Sequence, residues 1–481
     1  MNLSKALTEN VNTLKKKLIS DDIQFLDIKI SSKDAVLIYV NDIINKEALG
    51  QLVLKPVTEY TGEIDLASLR EIFLSPEKEE ILTLDECLIE VVSGSAIMLV
   101  DGIDVAFVFG LKKFEKRAIT EPPTSTVLKG PREGFVESLP VNVSMIRRRL
   151  KTPELTFEHI TVGKISSTTV ALCYISGVAD DKLVKTLRKK IKDIDVNAIL
   201  DSSYVSKLIG EKQNSLFKQL GNTEKPDILI SKILEGRVAI IVDGSPIALT
   251  APYILIEDFH SPSDSYTSSY SATLARTLRF FAVIISVFLP AFFVSAQLFH
   301  LQLIPLSFLL TIVNSIKGIP LSPSYEMFFT LVIFETLNEA SVRMPKYVGM
   351  VVSIVGGLVL GETAVNAGII SAPALMIIAF SGICLYTVPE LEQTFSVIRL
   401  TFLIIGGSIG GYGLIVASVF TLIYLVTFES FGAPISAPFS PFIRKDLKDS
   451  IYKGFSPQNE DLPISINYRK LKREKNRKES V

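Results

Sequence analysis

Three charged side chains, Glu335, Glu339 and Arg343, stand four residues apart in "FETLNEASVRMP", inside the most hydrophobic third of the sequence. That spacing is one helical turn. All three therefore project from one face, with Glu339 N-terminal to Arg343 in the orientation that favours an ion pair. Other polar residues punctuate the neighbouring apolar runs: Glu326 before the segment, Glu362 and Asn366 after a glycine-rich stretch, and Glu390 with Glu392 farther on. A charge at a bilayer centre costs roughly 2.5–3.5 kcal/mol on insertion scales, so this set must face protein, water or an interface. Two readings stand side by side. In the first, the helix lies at the membrane surface, or its acids pair with Arg343 and Lys346 inside a helix bundle. In the second, Glu326, Glu335, Glu339, Arg343, Glu362, Asn366 and Glu390 line or gate a hydrated path, where the excess of acids would favour cations.

Bond-making chemistry finds little support. The only histidines, His159, His260 and His300, neighbour no nucleophile or ligand cluster, so no enzyme and no cofactor are expected. Cys87, Cys173 and Cys384 lack metal-ligand spacing and suggest a reducing compartment. The triplet Arg147, Arg148 and Arg149 could hold an anion. Consecutive positions point three ways around a helix, however, which fits a solvated or subunit-facing surface better. With Arg132, Glu133 and Glu137, these arginines form the set expected at subunit contacts.

The elements carrying these residues fall into two halves. The chain of 481 residues is 48% hydrophobic, with a net charge of −1 and a mean hydropathy of +0.37. That average hides a charge-rich stretch up to about residue 278, an apolar region at 280–428 and a polar end. The near-zero charge gives no attraction to nucleic acid. The first half repeats itself. "AVLIYVND" before "INKEALGQLV" matches "VALCYISG" before "DDKLVKTLRKKI", and "SGSAIMLVDGIDVAFVF" matches "EGRVAIIVDGSPIALTA" about 140 residues later, each of the last two reading as strands joined at an Asp-Gly turn.

The fold class expected is therefore an α/β soluble N-terminal region of two related subdomains, followed by an all-α polytopic membrane domain. The expected boundaries are 1–150, including a connecting helix with Phe135, Leu139, Val143, Ile146 and Leu150 on one face; 151–260; a serine-rich linker at 261–279; membrane helices at 280–430; and a basic cytosolic tail at 431–481. "FFAVIISVFLPAFFVSAQLF" can cross a hydrocarbon core of about 30 Å. Arg276, Arg279 and the tail "YRKLKREKNRK" place both ends in the cytosol, which requires an even number of spans, four or six. The glycines near 356–368 and 406–413 are read as helix-packing faces.

"KGPREGFVESLPVNVSMIRRRLKTPEL", "FETLNEASVRMPKYVGMVVSIVGGLVLGETAVNAGIISAPALMII" and "SFGAPISAPFSPFIRKDLKDS" resemble the signatures of the A subunits of bacterial spore germinant receptors, the GerA family. The resemblance covers nearly the whole chain. Pro140 departs from an arginine usual in the family, Asn338 from an arginine, and Glu362 from a frequent glutamine, which makes the polar face more acidic. The resemblance implies a nutrient receptor in the endospore inner membrane, acting with a transporter-like B subunit and a lipoprotein C subunit. It also implies homo-oligomerisation into a nutrient-gated cation channel. Two other functions remain open: a cytosolic ligand sensor on a membrane anchor, and a secondary transporter.

Overall fold

A computed structural model describes residues 2–112, 130–345, 349, 357, 359, 361–453 and 463–466, apart from positions 74, 76 and 213. The basic "YRKLKREKNRK" tail lies outside these residues. The chain forms two units. One comprises Met1–Tyr253, Glu429–Ala433 and Asn459–Val481; the other comprises Ile254–Phe428 and Pro434–Gln458.

The first unit is built on two antiparallel five-stranded sheets. The strands are β1 (Ile23–Ile30), β2 (Lys33–Val40), β3 (Lys78–Ile81), β4 (Ala96–Val100), β5 (Ala106–Phe109), β6 (Leu155–Val162), β7 (Thr168–Ile175), β8 (Gly221–Thr223), β9 (Val238–Val242) and β10 (Ala248–Ala251). Their orders are β1-β2-β4-β5-β3 and β6-β7-β9-β10-β8. Registers match as well: Ile23 faces Val40 as Leu155 faces Ile175, and Ala35 faces Val100 as Val170 faces Val242.

Helices cover both faces of each sheet, which explains the unbroken apolar strands. On β4, Ile97 and Leu99 enter one core while Ala96, Met98 and Val100 enter the other. The helices that matter below are α1 (Leu7–Lys17), α2 (Leu84–Val92), α3 (Leu139–Arg149), α4 (Asp181–Lys192) and α5 (Pro226–Leu234). Pro140 sits in the first turn of α3, where its missing N–H costs no helical bond. Both Asp-Gly turns form, with Gly102 at φ +79° and Gly244 at φ +88°, a conformation open to glycine without strain.

The repeat extends to side-chain clamps at the start of α1 and α3. Asn10 receives the Ser4 N–H and donates to the Ser4 carbonyl; Asn142 does the same with Val136. Asp101 caps the Leu7 N–H as Asp243 caps the Leu139 N–H, and the following glycines donate to Lys5 and Glu137. The stretch "GFVESLPVN" is thus a helix-docking clamp, repeated near the N-terminus with different letters.

The second unit is helical: α6 (Ser269–Phe299), α7 (Leu306–Ile316), α8 (Pro323–Arg343), α9 (Ala372–Leu385), α10 (Glu392–Ser408) and α11 (Gly411–Thr427). Among the described residues, only α6 is by itself long and apolar enough to cross a bilayer; α9 and α10 pass as a pair bent by 107°. The expected linker at 261–279 is not a free tether, because α6 begins at Ser269 inside it and short 3₁₀ turns precede it. Helices pack closely at glycine. A Cβ on Gly382 would meet the Phe334 ring at 2.1 Å, and one on Gly406 the Ala291 carbonyl oxygen at 2.7 Å.

Replacing Asn142 with alanine removes two hydrogen bonds from a fully buried side chain. The expected cost is about 1–3 kcal/mol, read as a lower temperature for the onset of proteolysis within residues 130–250. An unchanged onset would show that the clamp does not hold α3.

Candidate functional site

The charged residues of the helical unit form three separate arrangements, not one continuous stripe. Glu326, in the first turn of α8, is 1% exposed, and its carboxylate accepts the Ser371 N–H at 2.6 Å, at the start of α9. One helix's acid thus satisfies the unpaired backbone donor at another's beginning.

Glu335 lies two to three turns farther along α8. It pairs with Arg399 of α10 and accepts the Ser396 hydroxyl at 2.8 Å. Arg399 is 1% exposed, donates to the Ser381 hydroxyl at 2.9 Å and lies over the Phe334 ring. Ser381 in turn donates to the Ser286 carbonyl, so a single network ties α6, α8, α9 and α10 together. Asn338 donates to Glu392 at 2.7 Å. It supports the same α8–α10 contact.

Glu339 and Arg343 form the expected i,i+4 pair, with Arg343 Nε 2.7 Å from the Glu339 carboxylate. Both are largely exposed on this chain, as are Glu362, Asn366 and Glu390. Glu335 therefore belongs with Arg399 rather than with its helical neighbour Glu339. Arg399 is not among the residues that spacing along the chain singles out. Its signal was there: a lone arginine in the apolar run "VIRLTFLII" requires an acid from another helix.

At the entry to α6 the two arginines taken as orientation signals are also engaged. Arg276, 6% exposed, and Arg279 both reach the carboxylate of Asp264. Beside them His260 donates from Nε2 to the Ser450 carbonyl at 2.7 Å. Burial, with the adjacent Arg276 cation, pushes its pKa down to about 4.

The arginine triplet is corrected more sharply. Arg147 is fully buried inside the first unit, not subunit-facing: its guanidinium grips Asp22 with two bonds of 2.8 Å and the Ser20 hydroxyl at 2.9 Å. Ser20 also accepts the Phe157 N–H, Asp21 donates its own N–H to the Phe157 carbonyl, and the Asp21 side chain accepts the His159 N–H. Residues 20–22, from the first fold, thereby extend the β6 edge of the second. Arg148 and Arg149 both bind Glu133, fastening the "GPREG" loop to α3. Buried Lys225 holds the same loop through the Pro131 carbonyl at 2.9 Å. Arg132 and Glu137 are exposed.

Paired α/β folds followed by a helical unit with an apolar exterior and charges paired between its helices define a protein of two parts. The family described as Bacillus/Clostridium GerA spore germination protein matches residues 9–463. The chain belongs to this family, the A subunits of spore germinant receptors. It is 34% identical over 475 residues to Spore germination protein KA of Bacillus subtilis (strain 168), covering 96% of this chain and 87% of that one. It is 32% identical over 419 residues to Uncharacterized membrane protein YfkQ of the same organism, covering 86% and 82% respectively. A crystal structure of the N-terminal domain of the A subunit of the Bacillus megaterium spore germinant receptor GerK3 is 30% identical, with a TM-score of 0.41, covering 53% of this chain and 98% of that one.

Two outcomes follow from these networks. Arg399→Met leaves the half-buried Glu335 without its cation, and the loss of charge-assisted hydrogen bonds, about 1–3 kcal/mol, should reduce accumulation of the protein in membranes. The double variant E335Q/R399M should recover part of that loss, and equal losses in both would refute the pairing. For His260, the depressed folded-state pKa means that full stability is present above about pH 6.5 and is lost as pH falls toward about 4. H260Q, whose amide can still donate to Ser450, should flatten that dependence in melting curves of the full chain.

Proposed function

We propose that this chain is the membrane subunit of a nutrient germinant receptor and that several copies assemble into a nutrient-gated cation channel in the spore inner membrane. Its role is conformational and non-enzymatic, with a transporter-like B subunit and a lipoprotein C subunit as partners. The observation that carries this reading is the division of charges in the helical unit. Glu326 and Glu335 point into the helix packing, whereas Glu339, Glu362 and Glu390 lie on the exterior of the chain among exposed apolar residues such as Val342, Val359 and Ile383. Acids so placed are tolerable only beside water or a neighbouring chain. An assembly that turns these faces inward would give them a hydrated, cation-attracting lining.

Four or six spans are part of the proposal, with the bent α9–α10 pair and the short apolar helices α7 and α11 as further membrane elements. Germinant binding would act by favouring the open over the closed arrangement, through differential affinity for the two.

Glu339→Gln and Glu362→Gln should each slow monovalent-cation release on nutrient addition by several-fold, with normal protein levels, whereas the inward-facing E326Q should chiefly reduce protein level. Unchanged release kinetics in both exterior variants would remove these acids from the pathway.

A further inference from the structure

The clasp between the two α/β folds uses one set of features from each, and the repeat supplies both sets twice. In the closed clasp, the second fold contributes Arg147 on α3, the Phe157 ring beneath its guanidinium at 5.1 Å, and the edge of β6. At the equivalent place in the first fold, Lys15 on α1 lies over the Phe25 ring at 5.3 Å, beside the edge strand β1. Lys15 is exposed, and among the described residues no backbone hydrogen bond reaches the outer edge of β1 at Phe25. This is a socket like the one that Ser20 and Asp22 fill in the second fold.

The matching plug is also present. In the first fold, Ser20 donates its hydroxyl to Asp22, the Ile23 N–H returns to the Ser20 carbonyl, and the Asn41 N–H bonds the Asp22 carbonyl at 2.8 Å. In the second fold, Thr152 donates its hydroxyl to Glu154, the Leu155 N–H returns to the Thr152 carbonyl, and the Ser176 N–H bonds the Glu154 carbonyl at 2.8 Å. The loop has the same shape with the same order of hydroxyl and acid, and Glu154 is exposed.

We propose that a second copy of this chain closes the vacant clasp: Thr152 and Glu154 of one copy seat on Lys15, Phe25 and the β1 edge of the next. Glu154 pairs with Lys15 as Asp22 pairs with Arg147, and the Thr152 hydroxyl accepts the Phe25 N–H as Ser20 accepts that of Phe157. The contact is head-to-tail, so repeated application gives a ring where the rotation closes. It is also weaker than the internal clasp. Pro153 stands where Asp21 stands and supplies neither the N–H nor the carboxylate that Asp21 gives to β6, and lysine lacks the planar two-pronged grip of arginine. A breakable contact of this kind suits a subunit boundary that shifts during signalling. The proposal specifies the boundary of the assembly proposed above and rests on that reading.

The test uses the full chain in membranes and a short bismaleimide, the native Cys87, Cys173 and Cys384 all being buried. A chain carrying both Lys15→Cys and Glu154→Cys should give a ladder of crosslinked species, co-expressed single-cysteine chains should give dimers only, and each single variant alone should give none. Light scattering in mild detergent supplies the mass. A multimeric mass without the 15-to-154 crosslink overturns this interface and leaves the assembly standing, whereas a monomeric mass overturns both. Reversing either charge, K15E or E154K, should lower the multimeric fraction about fivefold, and K15E/E154K together should restore it. Single reversals without effect would refute the pairing.

Discussion

Arg147 has no exposure to solvent, and that one fact constrains the first unit. A guanidinium removed from water must find a counter-charge and partners for its remaining donors, or the fold loses several kcal/mol. Asp22 and Ser20 meet that demand from the other α/β fold, and Phe157 offers its ring face. Because the pair is bidentate and planar, it fixes orientation as well as distance. The arrangement of the two related folds therefore depends on a few atoms at residues 20–22.

The helical unit obeys the same rule with different residues. Arg399 meets Glu335, Arg276 and Arg279 share Asp264, and Glu326 meets a backbone donor at the start of α9. Each of these links joins separate segments, so charge neutralisation and helix packing are one process here. The close approaches at Gly382 and Gly406 help to set the geometry in which such pairs can meet. Glu339, Glu362 and Glu390 lie on the exterior instead, and Glu339 meets Arg343 of its own helix there.

Much of the first unit could be read in the letters. The Asp-Gly turns announced β4–β5 and β9–β10, and the apolar runs around Leu37 and Leu172 announced β2 and β7. The clamp was harder to see, because "LSKALTEN" and "VESLPVN" share little beyond the leucine and the asparagine, and their equivalence lies in backbone bonds. The arginine triplet misled for a related reason. Spacing along a helix gives directions around its axis but does not say which direction meets a distant Asp22. In the helical unit, the four-residue spacing correctly paired Glu339 with Arg343. It could not show that Glu335 turns to Arg399, since that contact is set by how α8 and α10 pack. Length and apolarity identified α6 but fell short for its neighbours, whose short or charge-bearing helices read ambiguously.

Helix α6 has 31 residues and so measures about 46 Å, against about 30 Å for a hydrocarbon layer. If α6 spans the bilayer as proposed, some 16 Å of continuous helix would stand clear of the lipid, with Arg276 and Arg279 holding the N-terminal end to Asp264. A rod so placed would act as a lever. Tilting it by about 10° within the bilayer would sweep the protruding end sideways by about 3 Å, by elementary geometry on that length, enough to make or break hydrogen bonds without unwinding a single helical turn.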